Sequence, residues 1–200
     1  MCHKGKNDGM IPAMKSLLVV CLLAASALAA PAKKYHFDLL AVTPKPEVKA
    51  DVATIAKDRV EAQFKKALDS NPQLVTTLDG APDPATKADA YRRYLVQKGI
   101  SGSYLVSVEI TEASESIEPM EGKSNSQRMV VHVGIHVLGE AIPGRTMGFT
   151  GDGQATVKQE IGMKVRDADR NYAWDGAAET AVNDALKTCF AKLALPKVKQ

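Results

Sequence analysis

Few residues in this chain could do chemistry, and their spacing decides which chemistry is open to them. His132 and His136 fall on one face of a period-two stretch with Gly134 between them, an arrangement that could turn two imidazoles toward one metal ion. No third ligand stands at a metal-site spacing, so the plainer reading is a polar strand face. Asp167, Asp169, Asn171 and Asp175 match positions 1, 3, 5 and 9 of a calcium loop. Tyr172 then replaces the glycine that such a loop needs at its centre. Ala178 stands where the bidentate glutamate belongs, with Glu179 one residue late. The competing reading is a solvated loop leading into a helix, its acids favouring the helix N-terminus.

Gly99-Ile100-Ser101-Gly102-Ser103 has the outline of a nucleophile elbow, but Ser103 occupies the second glycine position of that motif. The run also lies between a helix and a strand, the reverse of the strand-turn-helix order an elbow requires. No nucleophile-base pair is evident elsewhere. Gly148 and Gly151-Asp152-Gly153 interrupt a strand and read as a bulge or a close backbone approach. No Walker or dinucleotide pattern accompanies them, so no cofactor is expected. Cys189 falls in an apolar helical stripe and reads as a small core residue. Arg170, Tyr172 and Trp174 are of the types that anchor interfaces. The alternative for them is a staple that packs the start of a helix onto the sheet.

The elements that must position these residues centre on Gly99 to Val157, where three strands follow one another. Tyr104, Val106, Val108 and Ile110 alternate with polar neighbours, as do Val131, Val133, Ile135 and Val137, and then Met147, Phe149, Ala155 and Val157. With no helix-sized connection between them they form an antiparallel meander. The first connection, residues 112–128, reads as a long polar loop, and the second carries the turn pair Pro143-Gly144. Upstream, Tyr35 to Thr43 reads as a strand, and Asp51 caps a helix reaching about Ser70. Leu74 to Leu78 is a short strand. Asp83-Pro84 then opens a helix that closes at Lys98-Gly99. The last helix carries the stripe Ala178, Ala181, Val182, Ala185, Leu186, Cys189, Phe190 and Leu193, with Asp175 as its cap and Pro196 as its end. The order β-α-β-α-β-β-β-α predicts an α+β domain with a mixed sheet, its meander covered by the C-terminal helix.

Residues 1–30 read as a signal peptide, in which Met14 makes a more typical start than Met1. Lys15 supplies the positive flank, Leu17 to Leu23 the apolar run, and Ala27-Leu28-Ala29 the cleavage pattern. The run is too short to span a bilayer, and no later segment reaches about 18 apolar residues, so no membrane span is expected in the mature chain. Lipidation at Cys21 is not expected, because Val20 precedes it and the apolar run continues beyond it. Residues 31–200 then form one domain, exported to the periplasm or secreted. Removing Lys4, Lys6, Lys15 and Asp8 takes the formal charge from +3 to +1, which is no footprint for nucleic acid. Cys189 is then the only cysteine, so the core must suffice without an internal disulfide.

Gly99 to Val108, the turn Pro143-Gly144-Arg145 and the element order over residues 35–193 resemble a superfamily of bacterial envelope accessory domains. It includes the periplasmic part of the curli secretion channel lipoprotein and the lipoprotein activators of penicillin-binding proteins. The resemblance implies a non-catalytic domain that binds other proteins. The expectation is therefore an exported envelope or secreted module with an unidentified protein partner, met through Ser116 and Ser124 in the 112–128 loop or through Arg170, Tyr172 and Trp174. Two alternatives stand beside it: a metal-dependent binding protein or hydrolase using Asp167 to Glu179 or the His132/His136 pair, and a small-ligand carrier using the second face of the sheet.

Overall fold

Alternation along four long segments and apolar stripes along three others build most of the chain. The computed structural model describes residues 33–195. The elements are β1 (Lys34–Pro44), α1 (Ala50–Ser70), β2 (Leu74–Val75), α2 (Ala88–Gln97), β3 (Ile100–Pro119), β4 (Ser126–Ala141), β5 (Thr146–Gly162) and α3 (Asp167–Ala194). They form one five-stranded sheet of order β2-β1-β3-β4-β5. β1 runs parallel to both β2 and β3, whereas β3, β4 and β5 form the antiparallel meander. The fold is therefore α+β, with the C-terminal helix packed on the sheet. No helix among the described residues is long and apolar enough to cross a membrane.

The inner face of the sheet carries the main core. Phe37, Val106, Val108, Ile110, Val131, Val133, Ile135 and Val137 meet Ala56, Val60 and Phe64 of α1 and the alanine-rich stripe of α3. On β5 the inward positions at the middle of the strand are Gly151 and Gly153. A Cβ at Gly153 would lie 1.9 Å from the Ala181 carbonyl oxygen, and one at Gly151 would lie 2.3 Å from Cys189 Sγ. These glycines let α3 rest its backbone on the strand, which is the close approach expected from the sequence. Gly148 is the unpaired residue of a register shift that opposes Gly139 to Phe149 and Glu140 to Met147. That shift carries Met147 out of phase, so it is exposed and not inward as the alternation suggested.

A smaller core lies on the outer face, where Tyr91 and Leu95 of α2 pack with Ile100, Leu78 and Ile142. Gly99, at φ 68°, closes α2 in the left-handed conformation expected of a C′ glycine.

Several expectations are corrected. Residues 112–128 are not a loop: β3 continues to Pro119, β4 begins at Ser126, and only 120–125 connect them. The shift between Ile110 and Glu112 adds one residue to β3 and turns Ala113 and Glu115 inward, which breaks the apolar alternation without ending the strand. The second strand stops at Val75 instead of Leu78. α2 starts at Ala88, because Asp83 closes a separate turn in which it accepts from the Ala85 amide and the Thr86 hydroxyl. Asp51 lies in the first turn of α1 and caps nothing with its side chain. α3 begins at Asp167, so Asp175 is a residue of its interior, not its cap. Pro196 and the whole of residues 1–30, Cys21 included, lie outside the described residues.

Candidate functional site

The parallel pairing of β1 with β3 sets His36 directly opposite Ser103, both facing away from the main core. His36 Nδ1 lies 2.7 Å from Ser103 Oγ, and the Tyr91 hydroxyl on α2 lies 2.8 Å from the same oxygen. The Thr76 carbonyl also acts on the imidazole as an acceptor. A ring whose N–H is spent on a carbonyl presents its Nδ1 lone pair to Ser103. The chain of donors is therefore Tyr91 to Ser103 to His36. Burial, the largest effect on each, holds the His36 pKa below its ordinary value and raises that of Tyr91. The charge of Asp38 opposes burial at His36 and reinforces it at Tyr91.

A serine whose hydroxyl donates to imidazole is the beginning of a nucleophile-base pair. Here the pair is sealed. Ser103 is 2% exposed, Tyr91 3% and His36 7%, and the serine oxygen already accepts from the phenol. The network satisfies three polar side chains under the small core and stiffens the β1–β3 pairing beneath a groove.

That groove holds about 370 Å³ between the connection that follows β2 and the β4–β5 turn. Leu78, Ala81, Pro82 and Pro84 form one wall, Ile142, Pro143 and Arg145 the other, with Leu105, His36 and Tyr91 at the base and Asp38 at the rim. Its size falls within the range of ligand sites, and two connections converge on a rigid floor. A larger open recess of about 690 Å³ surrounds Gly134 and is lined by Glu112, Asp152, Gln154, Asp184 and Lys187 beside Ile135 and Ala191.

The residues singled out in the sequence are placed elsewhere. His132 and His136 do share a face, but four strand residues separate them by about 13 Å, too far for one metal ion. Each is engaged separately, His132 with Glu112 and Thr156 and His136 with Asp152. Asp167, Asp169, Asn171, Asp175 and Glu179 lie along helix α3, whose regular backbone spreads them over three turns instead of wrapping them round an ion. Arg166 binds Asp169, Arg59 binds Asn171 and Asp175, and Lys66 binds Glu179. Among the described residues no group of three or more His, Cys, Asp or Glu is placed to hold a metal.

Trp174 is 0% exposed and donates from its indole to Glu115 at 2.8 Å, while Arg170 forks onto the same carboxylate. This is the staple reading, and it removes Trp174 as a contact for a partner. Tyr172 is 69% exposed, Ser116 stands exposed on β3, and Ser124 lies in the 120–125 turn.

No protein-family model matches the chain, and no curated protein matches it. Among solved structures, it is similar to a minor lipoprotein from Acinetobacter baumannii, at 11% identity and a TM-score of 0.42 over 85% of this chain and 100% of that one. It is also similar to the rare lipoprotein B from Shewanella oneidensis, at 10% identity and a TM-score of 0.37 over 77% and 94% of the two chains. Both are bacterial lipoproteins by name. Likeness at this level is one of outline, and the reading of the groove rests on its own residues.

Proposed function

We propose that the protein is an exported, non-catalytic module of the cell envelope or the secreted fraction that binds a partner protein in the groove beside His36. The observation that carries this is the sealed Tyr91–Ser103–His36 chain under a groove open to solvent. The one serine-histidine pair described is spent on structure, and the surface above it is shaped to hold a side chain or a short segment. This moves the contact from the hairpin end at Ser116 and Ser124 to the opposite corner of the sheet. The carrier reading shares the same groove and is favoured by its volume and apolar base.

Photo-reactive residues at Arg145 and at Ser124, introduced separately in the native host, test the assignment. The expected result is one discrete adduct from Arg145 that disappears when Ala85→Trp fills the groove. An adduct from Ser124 alone would return the contact to the hairpin, and an Arg145 adduct unaffected by Ala85→Trp would separate it from the groove. A fluorophosphonate probe that labelled folded protein at Ser103 would overturn the non-catalytic reading.

A further inference from the structure

The charged groups around the groove are not equivalent, and the difference bears on what it holds. Asp83 spends its carboxylate on the Ala85 amide and the Thr86 hydroxyl. Arg145 is paired with Glu140 at 2.9 Å. Asp38, exposed at the rim, makes no ion pair within 4 Å among the described residues. Its charge acts on both the His36 ring and the Tyr91 phenol, so the carboxylate lies close to the buried chain. His36, kept neutral by burial, supplies no counter-charge at neutral pH. The groove thus combines an apolar base of Leu78, Leu105 and Ile142 with two carboxylates that make no ion pair within 4 Å among the described residues, Asp83, whose oxygens are held by neutral donors, and Asp38 at the edge.

We propose that the groove receives a cationic amphiphilic group, the lysine or arginine side chain of a partner protein, with the apolar stem against Leu105 and Ile142 and the head on Asp38. Long basic side chains lay their methylenes along apolar surface while the charge stays at the rim, which is the distribution this groove offers. An acidic group would meet Asp38 unfavourably, while Arg145, which bonds Glu140 through Nε, is already half of an ion pair. This assignment rests on the groove being the recognition site, and it adds the chemistry of what is recognised.

Hexylammonium, hexanoate and hexanol are the probes, titrated separately into the isotope-labelled protein while backbone amide signals are followed. Hexylammonium is expected to shift the signals of Asp38, Leu105 and Ile142, and to bind up to about fivefold more tightly than hexanoate, the most that one exposed ion pair supplies. Asp38→Asn, an exposed change whose melting temperature serves as the folding control, is expected to remove that preference. Equal binding of all three probes would overturn the cationic assignment while leaving an apolar groove. Absence of shifts at the groove with every probe would also overturn the cationic assignment. The fate of the recognition reading is decided separately, by the Arg145 adduct.

Discussion

The contact between α3 and β5 at Gly153 allows a quantitative test of how the fold is held together. Replacing Gly153 by alanine places a methyl carbon 1.9 Å from the Ala181 carbonyl oxygen and 2.7 Å from the Ala185 amide nitrogen. Both atoms belong to helix backbone, so no rotamer change relieves the clash. Restoring an ordinary contact of about 3.5 Å requires α3 to retreat by roughly 1.5 Å, and a gap of that order forfeits half or more of the dispersion energy across it. Trp174, Ala177, Ala181 and Ala185, all fully buried, lie along the helix that must lift. Overpacking of this kind costs about 3 kcal/mol, which in a domain of this size lowers Tm by about 6–12 °C. Gly162→Ala is the matched control, because nothing lies within 4 Å of its added carbon. Its Tm is expected within about 2 °C of the parent. Thermal melts followed by circular dichroism compare the three proteins. A Gly153→Ala protein that melts like the parent would refute the backbone-on-backbone packing.

Further outcomes follow from the same contacts. Trp174→Phe keeps most of the packing but takes one donor from Glu115, and is expected to cost about 1–2 kcal/mol in urea denaturation, against about 3–5 kcal/mol for Trp174→Ala. Burial depresses the His36 pKa, so below about pH 6.5 the unfolded chain binds the proton that the folded chain resists, and stability falls as the pH is lowered. The drop in urea midpoint between pH 7 and pH 5 should shrink in His36→Gln; an equal drop in both would contradict the assignment. The Cys189 thiol is pushed up to about 12 by burial. It should resist a disulfide reagent in the folded protein at pH 8 and react once the chain is unfolded.

The meander and its covering helix were legible because their apolar residues repeat at the strand and helix periods. The glycines of β5 were legible too, as a bulge or a close backbone approach, and both occur: the bulge at Gly148 and the close approach at Gly151 and Gly153. The hairpin was misread at Glu115 for a local reason. One extra residue at the Ile110–Glu112 shift reverses the phase, and the inward position it creates is filled by a carboxylate that Arg170 and Trp174 require. A polar residue with buried partners looks, in sequence, like the start of a loop. The His36–Ser103 pair was hidden differently, since 67 residues separate its members. Their meeting depends on β1 lying between β2 and β3, which alternation within a strand does not specify. The available signal was a histidine at the outward position between Tyr35 and Phe37, read together with a serine beside Tyr104.

In the function proposed above, recognition takes place in the groove at the Tyr91–Ser103–His36 corner and not at the hairpin end. In-cell photo-crosslinking from Arg145 and from Ser124, quantified side by side against total protein, measures this directly. A discrete adduct is expected from Arg145, lost in the Ala85→Trp background, with only background yield from Ser124. A Ser124 adduct that persists with the groove filled, with none from Arg145, would contradict it.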